Sequence, residues 1–369
     1  MENRREQGAG TGGPARLGVL IPAYEPGRGL SGLVRQLREA GLPVVVVNDG
    51  SSAAAEPVFQ DLGSAVVLRH EKNRGKGRAL KTGIAYLAAR GFVGVVPPSG
   101  YGQHRRAHIL GGAEALGLPP PHQGRLILGA RDVSRMPPRS RTGNGLTRAL
   151  FRLLYGIRLR DTQTGLRGIP LTERSLPGLL ELPGEGYEYE MEMLAQSAAL
   201  FPAGVEELEI QTIYSEDSDN ASHFRPLRDG MRIYSVLFRR FPRFLLSSLL
   251  AFLVDYLAFN LLYYLVLGRS VPAAVLARVV SGTVNYNVNR HMVFGGAYHL
   301  GGYLKILIPI LLANCGLMYL LVDCLGLPAF LIKPLVDGGL YAVSFVSQNR
   351  MAQGERRRRD VVSGRPRQC

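Results

Sequence analysis

Residues 43–52 read PVVVVNDGSS, an apolar run of five residues that ends in a polar turn. A short run rich in valine is typical of a strand buried in a parallel sheet. Amphipathic segments such as 30–40 and 78–90 alternate with this run and with similar ones, which are Leu17–Ile21, Ala65–Arg69, Phe92–Val96 and Arg125–Leu128. The alternation over the first 240 residues predicts an α/β domain with a mostly parallel sheet.

Polar loops follow the first three of these strands, and parallel sheets bind ligands beyond the carboxyl ends of their strands. Asp49 follows the second strand, where a carboxylate can accept hydrogen bonds from a base or a ribose; a strand-ending Asx turn is the alternative. Residues 73–83, NRGKGRALKTG, follow the third strand, and their glycines allow backbone amides to approach a phosphate. Lys76 adds positive charge there. This is not a Walker A loop, because the GKS/T ending is missing.

The composition favours an anionic partner. Lysine and arginine exceed aspartate and glutamate by 44 − 29 = 15. Nucleic acid, a phosphorylated substrate or an anionic bilayer would each suit this excess. The three cysteines have no CxxC spacing, which argues against a disulfide scaffold or a zinc module.

The last third of the chain predicts membrane spans. Residues 244–267 carry one charge, Asp255, and are long enough to cross a bilayer. Three more candidate spans follow at 272–294, 303–325 and 328–348. Asp255 and Arg278 form a candidate pair between the first two spans, either structural or part of a transport site.

Arginines before the first span, between the second and third spans and after the fourth place both termini and the α/β domain in the cytoplasm. These arginines would meet anionic lipid, so no nucleic-acid partner is expected. The predicted division is a disordered leader (1–15), the α/β domain (16–224), a juxtamembrane segment (225–243), an all-α four-span domain (244–350) and a basic tail (351–369). The juxtamembrane segment is either a helix in the bilayer interface or a plain linker helix.

Seven motifs in this order resemble family 2 glycosyltransferases of the dolichyl- or polyprenyl-phosphate mannosyl- or glucosyltransferase type: VLIPAYEP, VVVVNDGSS, NRGKGRALKTG, GARD, RSRTGNGLTRALFRLLYGIRLRDTQTGLRGIP, EGYEYEMEML and SHFRPLRDGMRIY. The tail, with ARVVSGTVNYNVNRHMVF and LIKPLVDGGLYAVSFVSQNR, resembles a GtrA-like membrane domain. The resemblance implies a Rossmann-like GT-A fold for nucleotide-diphospho-sugars in a bacterial plasma-membrane protein. It also implies transfer of a sugar, from a donor of the GDP-mannose or UDP-glucose class, to a polyprenyl or dolichyl phosphate for envelope polysaccharide or protein glycosylation. A homo-oligomer is left open.

The resemblance assigns roles to residues of this chain. The loops after the strands are expected to bind the donor, and the GARD and DTQTGLRG motifs are expected to carry catalysis. Arginines are expected to bind the acceptor phosphate, because a guanidinium can make two hydrogen bonds to it. Asp161 could instead be a helix cap, and the residues from Tyr187 to Glu190 either border the acceptor or cap a solvated helix. The assignments are Pro22, Tyr24, Glu25, Asp49 and Lys76 for the donor, Arg131, Asp161, Gln163 and Arg167 for catalysis, and Arg141 and Arg225 for the acceptor.

The chain departs from the family at the acidic DxD motif after the fourth strand. That stretch is Ser99-Gly100-Tyr101 here, so the pair expected to hold Mg²⁺ or Mn²⁺ is missing and Gln103 is the remaining metal candidate. Three interpretations stay open. In the first, Asp49 or Asp132 binds a metal through water. In the second, the positive charges of Lys76 and the arginines replace the metal. In the third, the domain is catalytically inactive and the protein assists translocation of the lipid-linked sugar.

Overall fold

The computed structural model describes residues 16–98, 106–117, 124–136, 138–210, 225–267, 270–294 and 300–363. The chain divides into two compact units. We name the two units after the expectations above: the catalytic unit comprises residues 1–141 and 160–229, and the membrane unit comprises residues 142–159 and 230–369. Gln103 and the Ser99–Tyr101 stretch lie outside the described residues.

A seven-stranded sheet forms the centre of the catalytic unit, in the order β3-β2-β1-β4-β6-β5-β7. Strand β6 runs antiparallel to both neighbours, and the other pairings are parallel. The prediction of a mostly parallel α/β domain is confirmed, and this mixed sheet fits the GT-A fold. The strands are β1 Leu17–Ala23, β2 Val44–Asn48, β3 Val66–Arg69, β4 Gly94–Val96, β5 Leu126–Arg131, β6 Arg167–Pro170 and β7 Val205–Ile210.

Helices cover the sheet through apolar faces. In α1 the buried residues Leu30, Leu33, Val34 and Leu37 have the i, i+3, i+4, i+7 spacing of one helical face, which joins the core around β1 and β2. The helices of this unit are α1 Gly29–Glu39, α2 Glu56–Gln60, α3 Lys76–Ala88, α4 Arg106–Gly117, α6 Ser175–Glu181, α7 Glu188–Ala195 and α8 Ser197–Leu200. Helix α5, Pro138–Tyr155, has its first residues in the catalytic unit and the rest in the membrane unit.

Long helices form the membrane unit. Helix α9 ends at Leu237, and the following helices correspond to the four apolar stretches of the sequence. Their bounds are α9 Pro226–Leu237, α10 Phe241–Leu261, α11 Ser270–Val288, α12 Leu300–Met318 and α13 Ala329–Ser363, and short π-helical segments extend α10, α11 and α12. Among the described residues, only 241–258 combine the length and hydropathy of a membrane span, while 300–313 form a shorter apolar helix.

Polar side chains connect helices inside the membrane unit. Asn289 is buried and bonds with Ser247 of α10 and Asn285 of α11. Asp255 accepts a hydrogen bond of 2.8 Å from Ser281. The Arg278 side chain lies outside the described part of the chain, so its pairing with Asp255 stays a prediction.

Candidate functional site

The loops after β1 and β2 are hydrogen-bonded to each other. Glu25 has a φ of 45°, and its carboxylate accepts hydrogen bonds from the Ser52 amide at 2.6 Å and the Ser52 hydroxyl at 3.0 Å. The Ser51 hydroxyl bonds the Glu25 amide at 2.9 Å. Pro22, Tyr24 and Glu25 therefore lie at the carboxyl end of β1, where a donor would bind, and their role in binding stays a prediction.

Asp49 organises the next loop. Its buried carboxylate accepts hydrogen bonds from the amides of Arg74 at 2.9 Å and Gly75 at 2.7 Å, and it lies 2.7 Å from Nδ1 of His70. The Asx-type contact of this turn is made by Asn48 instead, whose Oδ1 accepts from the Ser51 amide at 2.9 Å. Asp49 thus fixes the segment that leads into α3, and its contact with a base or ribose stays a prediction.

The glycines of the NRGKG segment accommodate protein backbone. A Cβ on Gly75, whose φ is 100°, would lie 2.5 Å from the Glu185 carbonyl oxygen. A Cβ on Gly77 would lie 2.6 Å from the Tyr189 Cβ, and the Arg78 amide donates to the Glu185 carbonyl at 3.0 Å. These glycines let the start of α3 pack closely against the segment before α7.

This packing brings Lys76 to Glu190. The Lys76 ammonium lies 3.1 and 3.0 Å from the two carboxylate oxygens of Glu190, and both side chains are mostly buried. The Arg167 guanidinium donates to the Glu190 carbonyl oxygen at 2.8 Å, and its Nε is 3.9 Å from the Glu190 carboxylate. Glu190 therefore holds one cation near the surface and a second in the interior.

A second ion pair uses the other carboxylate of the region. Arg131, the last residue of β5, forms a bidentate pair with Asp161 at 2.5 and 3.1 Å. The Asp161 side chain has no exposed surface, whereas that of Arg131 is 20% exposed. Asp161 also accepts a hydrogen bond of 3.0 Å from the Gln163 amide.

Arg167 adjoins Glu190 and is attracted to Asp161. Its side chain is 1% exposed, and burial lowers the pKa of its guanidinium while Glu190 and Asp161 oppose that shift by attraction. Its Nη2 has no hydrogen-bond partner among the described residues. We call this set the charged cluster: Lys76, Arg131, Asp161, Arg167 and Glu190.

The topology of the sheet explains why these residues meet. Arg131 ends β5, and Arg167 begins the antiparallel β6, so both lie at the same sheet edge. The Arg167 amide approaches the carbonyl of Pro97, just after β4, at 3.4 Å. Lys76 begins the helix after β3. The charged cluster therefore lies at the carboxyl ends of the parallel strands, where ligands of such sheets bind.

Arg141 and Arg225 contact other segments. Arg141 donates to the carbonyls of Ser134 at 2.7 Å and Met136 at 3.3 Å, in the turn after β5. Arg225 is exposed, and its amide donates to Asp229 at 2.7 Å at the start of α9. Their binding of an acceptor phosphate stays a prediction.

Within the described residues, the available side chains do not fit a divalent-cation site. The described ranges contain no group of three His, Cys, Asp or Glu side chains able to hold a metal. The Asp49 carboxylate already accepts hydrogen bonds from the amides of Arg74 and Gly75. Asp132 accepts hydrogen bonds from the Ser134 amide at 2.9 Å and the Ser134 hydroxyl at 2.7 Å. The sequence offers no acid at positions 99 and 101, and neutral ligands bind a hard cation weakly.

From the sequence, Glu190 was expected only to border the acceptor or to cap a helix, and Glu185 and the ion pairs of both acids were missed. Glu190 pairs with Lys76, and Glu185 pairs with Arg78 and with Lys81, at 2.9 Å from the Lys81 ammonium. A signal was present, because EGYEYE concentrates three acids and NRGKGRALK four bases. The charges are complementary, but more than 100 residues of chain separate the partners.

Comparison with known proteins finds family similarity in two separate parts of the chain. Residues 18–95 match the family described as glycosyl transferase family 2, and residues 243–352 match the family described as GtrA/DPMS, transmembrane domain. The chain is similar to an uncharacterized protein of Methanocaldococcus jannaschii, with 28% identity over 54% of this chain and 82% of the relative. It is also similar to the glycosyltransferase AglJ of Haloferax volcanii, with 24% identity over 62% of this chain and 72% of the relative.

Proposed function

We propose that this chain, in which residues 18–95 match glycosyl transferase family 2 and residues 243–352 match the GtrA/DPMS transmembrane domain, transfers a sugar from a nucleotide sugar to a polyprenyl or dolichyl phosphate. The donor would be of the GDP-mannose or UDP-glucose class. The product would serve envelope polysaccharide synthesis or protein glycosylation.

The proposed reaction is a single displacement. An oxygen of the acceptor phosphate attacks the anomeric carbon, the bond from that carbon to the donor diphosphate breaks, and the nucleoside diphosphate leaves with the bonding electrons. A lipid phosphate is largely ionised near neutral pH, so the attack needs orientation more than a strong general base. Positive charge facing the leaving diphosphate supplies the main stabilisation of the transition state.

The observation that carries this proposal is the position of the charged cluster at the carboxyl edge of the sheet. Its cations outnumber its carboxylates by 3 − 2 = 1, and Lys76 and Arg131 retain exposed surface. In this arrangement Asp161 orients Arg131, and the backbone amide of Gln163 donates a hydrogen bond to Asp161. Arg141 and Arg225 are proposed for the acceptor phosphate.

The membrane unit supports delivery of a lipid acceptor. We place four spans in a bacterial plasma membrane with the catalytic unit and both termini in the cytoplasm, as the arginine distribution favours. The basic residues around the spans would also bind anionic lipid. Protease added to sealed inside-out vesicles should then digest the catalytic unit without detergent.

A transfer assay tests the proposed function. Purified full-length protein in nanodiscs receives radiolabelled UDP-glucose or GDP-mannose and a short polyprenyl phosphate, and label is followed into the organic phase. Arg131→Gln should lower the rate by at least about 100-fold, because it removes a cation from the developing charge. The matched control is Arg35→Gln, an exposed arginine of α1, which should leave the rate unchanged.

A second candidate function rests on the missing acids at positions 99 and 101. The chain would then be a non-catalytic membrane protein that binds nucleotide sugar or lipid and assists translocation. Binding of the nucleotide sugar without transfer, under every donor and metal condition, would favour this candidate and refute the first.

A further inference from the structure

The region that precedes and follows β4 is strongly basic. Residues 72–113 contain eight lysines and arginines and no acid. Where the resemblance leads us to expect two acids, this chain has the neutral residues Ser99 and Tyr101. The acids that would bind a metal are therefore absent, and the lysines and arginines provide the charge of this region.

Two cations of the charged cluster, Lys76 and Arg131, are partly exposed, and each is paired with a carboxylate. Lys76 is 17% exposed and bound to Glu190, which is 12% exposed. Arg131 is 20% exposed and bound to the fully buried Asp161. Each cation is held by one carboxylate and keeps part of its side-chain surface exposed. Fixed cations of this kind stabilise a leaving group without reorganisation during the reaction.

Arg167 connects the two halves of this arrangement. It donates to the Glu190 carbonyl oxygen and lies 3.9 Å from the Glu190 carboxylate, and attraction to Glu190 and Asp161 opposes the lowering of its pKa by burial. Since Arg167 is almost fully buried, its role is to position the two carboxylates. Lys76 and Arg131 are the members with surface for a ligand.

We propose that Lys76 and Arg131 bind the donor diphosphate directly and replace the divalent cation, with Glu190, Asp161 and Arg167 as positioning residues. This inference rests on the proposed function for the identity of the donor. The diphosphate replaces some of the contacts that Lys76 makes with Glu190 and that Arg131 makes with Asp161. Both cations then lie near the bond that breaks. No metal step enters the displacement.

Transfer with and without chelation is the first test. The full-length protein in nanodiscs is assayed with UDP-glucose and GDP-mannose, once with excess EDTA and once with Mg²⁺ or Mn²⁺. The rate should be the same in EDTA and with metal. A rate that requires metal overturns the inference and leaves the proposed function intact, whereas no transfer in any condition refutes the proposed function instead.

Binding of UDP and GDP by calorimetry tests the clamp even without transfer. Lys76→Gln should weaken binding in EDTA by at least about tenfold, because it removes a charge-assisted contact to phosphate. The matched control is Lys72→Gln, an exposed lysine four residues earlier, which should bind as the wild type does. Lys76→Arg should restore most of the affinity. Absence of UDP and GDP binding to the wild type in EDTA, or equal affinity of the Lys76→Gln variant, overturns the inference.

Glu190→Gln separates a positioning role from a structural one. Loss of this carboxylate raises the net charge of the charged cluster by one and frees Lys76, so affinity for UDP and GDP should increase. The value of kcat should fall at the same time, because Lys76 is no longer oriented. A variant that loses both affinity and rate would show only a structural defect and would contradict this part of the inference.

Discussion

Gly77→Ala tests the contact on which the charged cluster depends. The added Cβ would lie 2.6 Å from the Tyr189 Cβ, 2.8 Å from the Glu185 carbonyl carbon and 2.9 Å from the Gly184 oxygen. All three atoms belong to backbone or to a Cβ, so no flexible side-chain end can move aside. The start of α7 must shift away from α3, and Glu190 must move with it relative to Lys76.

The magnitude follows from two opposing effects. Alanine gains up to about 1 kcal/mol over glycine in a helix interior, and less at the second residue of a helix. Forcing an extra methyl group into a closely packed contact costs about 1–3 kcal/mol. We therefore expect a net destabilisation of about 1–2 kcal/mol, which corresponds to a fall in Tm of about 2–8 °C. A displacement near 1 Å at the cluster should also lower kcat/KM at least about tenfold.

Thermal unfolding followed by far-UV circular dichroism, together with hydrogen exchange of peptides from α3 and α7, gives the measurement. The matched control is Gly145→Ala, because a Cβ at this position in α5 meets no atom within 4 Å. The same chemical change should there raise stability by up to about 1 kcal/mol. If Gly77→Ala behaves as Gly145→Ala does, in both Tm and kcat/KM, the close contact is not what holds α7 in place.

Three further changes test other contacts. Asp161→Asn should lower the free energy of unfolding by about 3 kcal/mol, because it breaks a buried pair with Arg131, and a loss under about 1 kcal/mol in urea titration would contradict this. The pKa of Glu185 is lowered, because hydrogen bonds and attraction from two cations outweigh the effect of burial, which alone would raise it. Its carboxylate therefore stabilises the fold above its ordinary pKa of 4.5 and loses this effect as the pH falls below that value. The difference in Tm between the wild type and Glu185→Gln should vanish when the pH is lowered and persist when it is raised. Asn349→Ala removes a donor to the Leu154 carbonyl at 2.8 Å and should cost about 1–3 kcal/mol, with faster hydrogen exchange at the end of α5.

The strands that the sequence predicted are those with unbroken apolar runs. In β2 all five residues are buried, so a valine run was a sufficient signal. Strands β6 and β7 were not predicted. The sequence of β6 is RGIP, with a buried arginine and a proline, and that of β7 is VEELEI, in which acids alternate with apolar residues. Such segments become strands because their neighbours in the sheet supply hydrogen bonds, which the local pattern does not reveal.

The candidate site was predicted in part for a similar reason. Lys76 could be selected because its motif follows a predicted strand, whereas Arg131, Asp161 and Arg167 were selected because their motifs resemble those of a known family. Glu190 could not be paired with Lys76, since 114 residues separate them and only the packing of α3 against α7 brings them together. The roles of the NRGKG glycines were also partly hidden. In sequence, a glycine that makes room for a neighbouring backbone segment cannot be distinguished from a glycine that makes room for a phosphate.

The charged cluster is best understood as one unit. Burying the Arg167 guanidinium is unfavourable, and its lowered pKa records that cost, yet two carboxylates beside it compensate for the loss of water. The same carboxylates hold Lys76 and Arg131, so removing either acid takes the ion-pair partner from one outer cation and weakens the compensation of Arg167. Substitutions within the cluster should therefore be non-additive, and a double-mutant cycle of Glu190→Gln with Asp161→Asn should show a coupling energy above about 0.5 kcal/mol. Such coupling is what a pair of fixed cations acting together on one diphosphate requires.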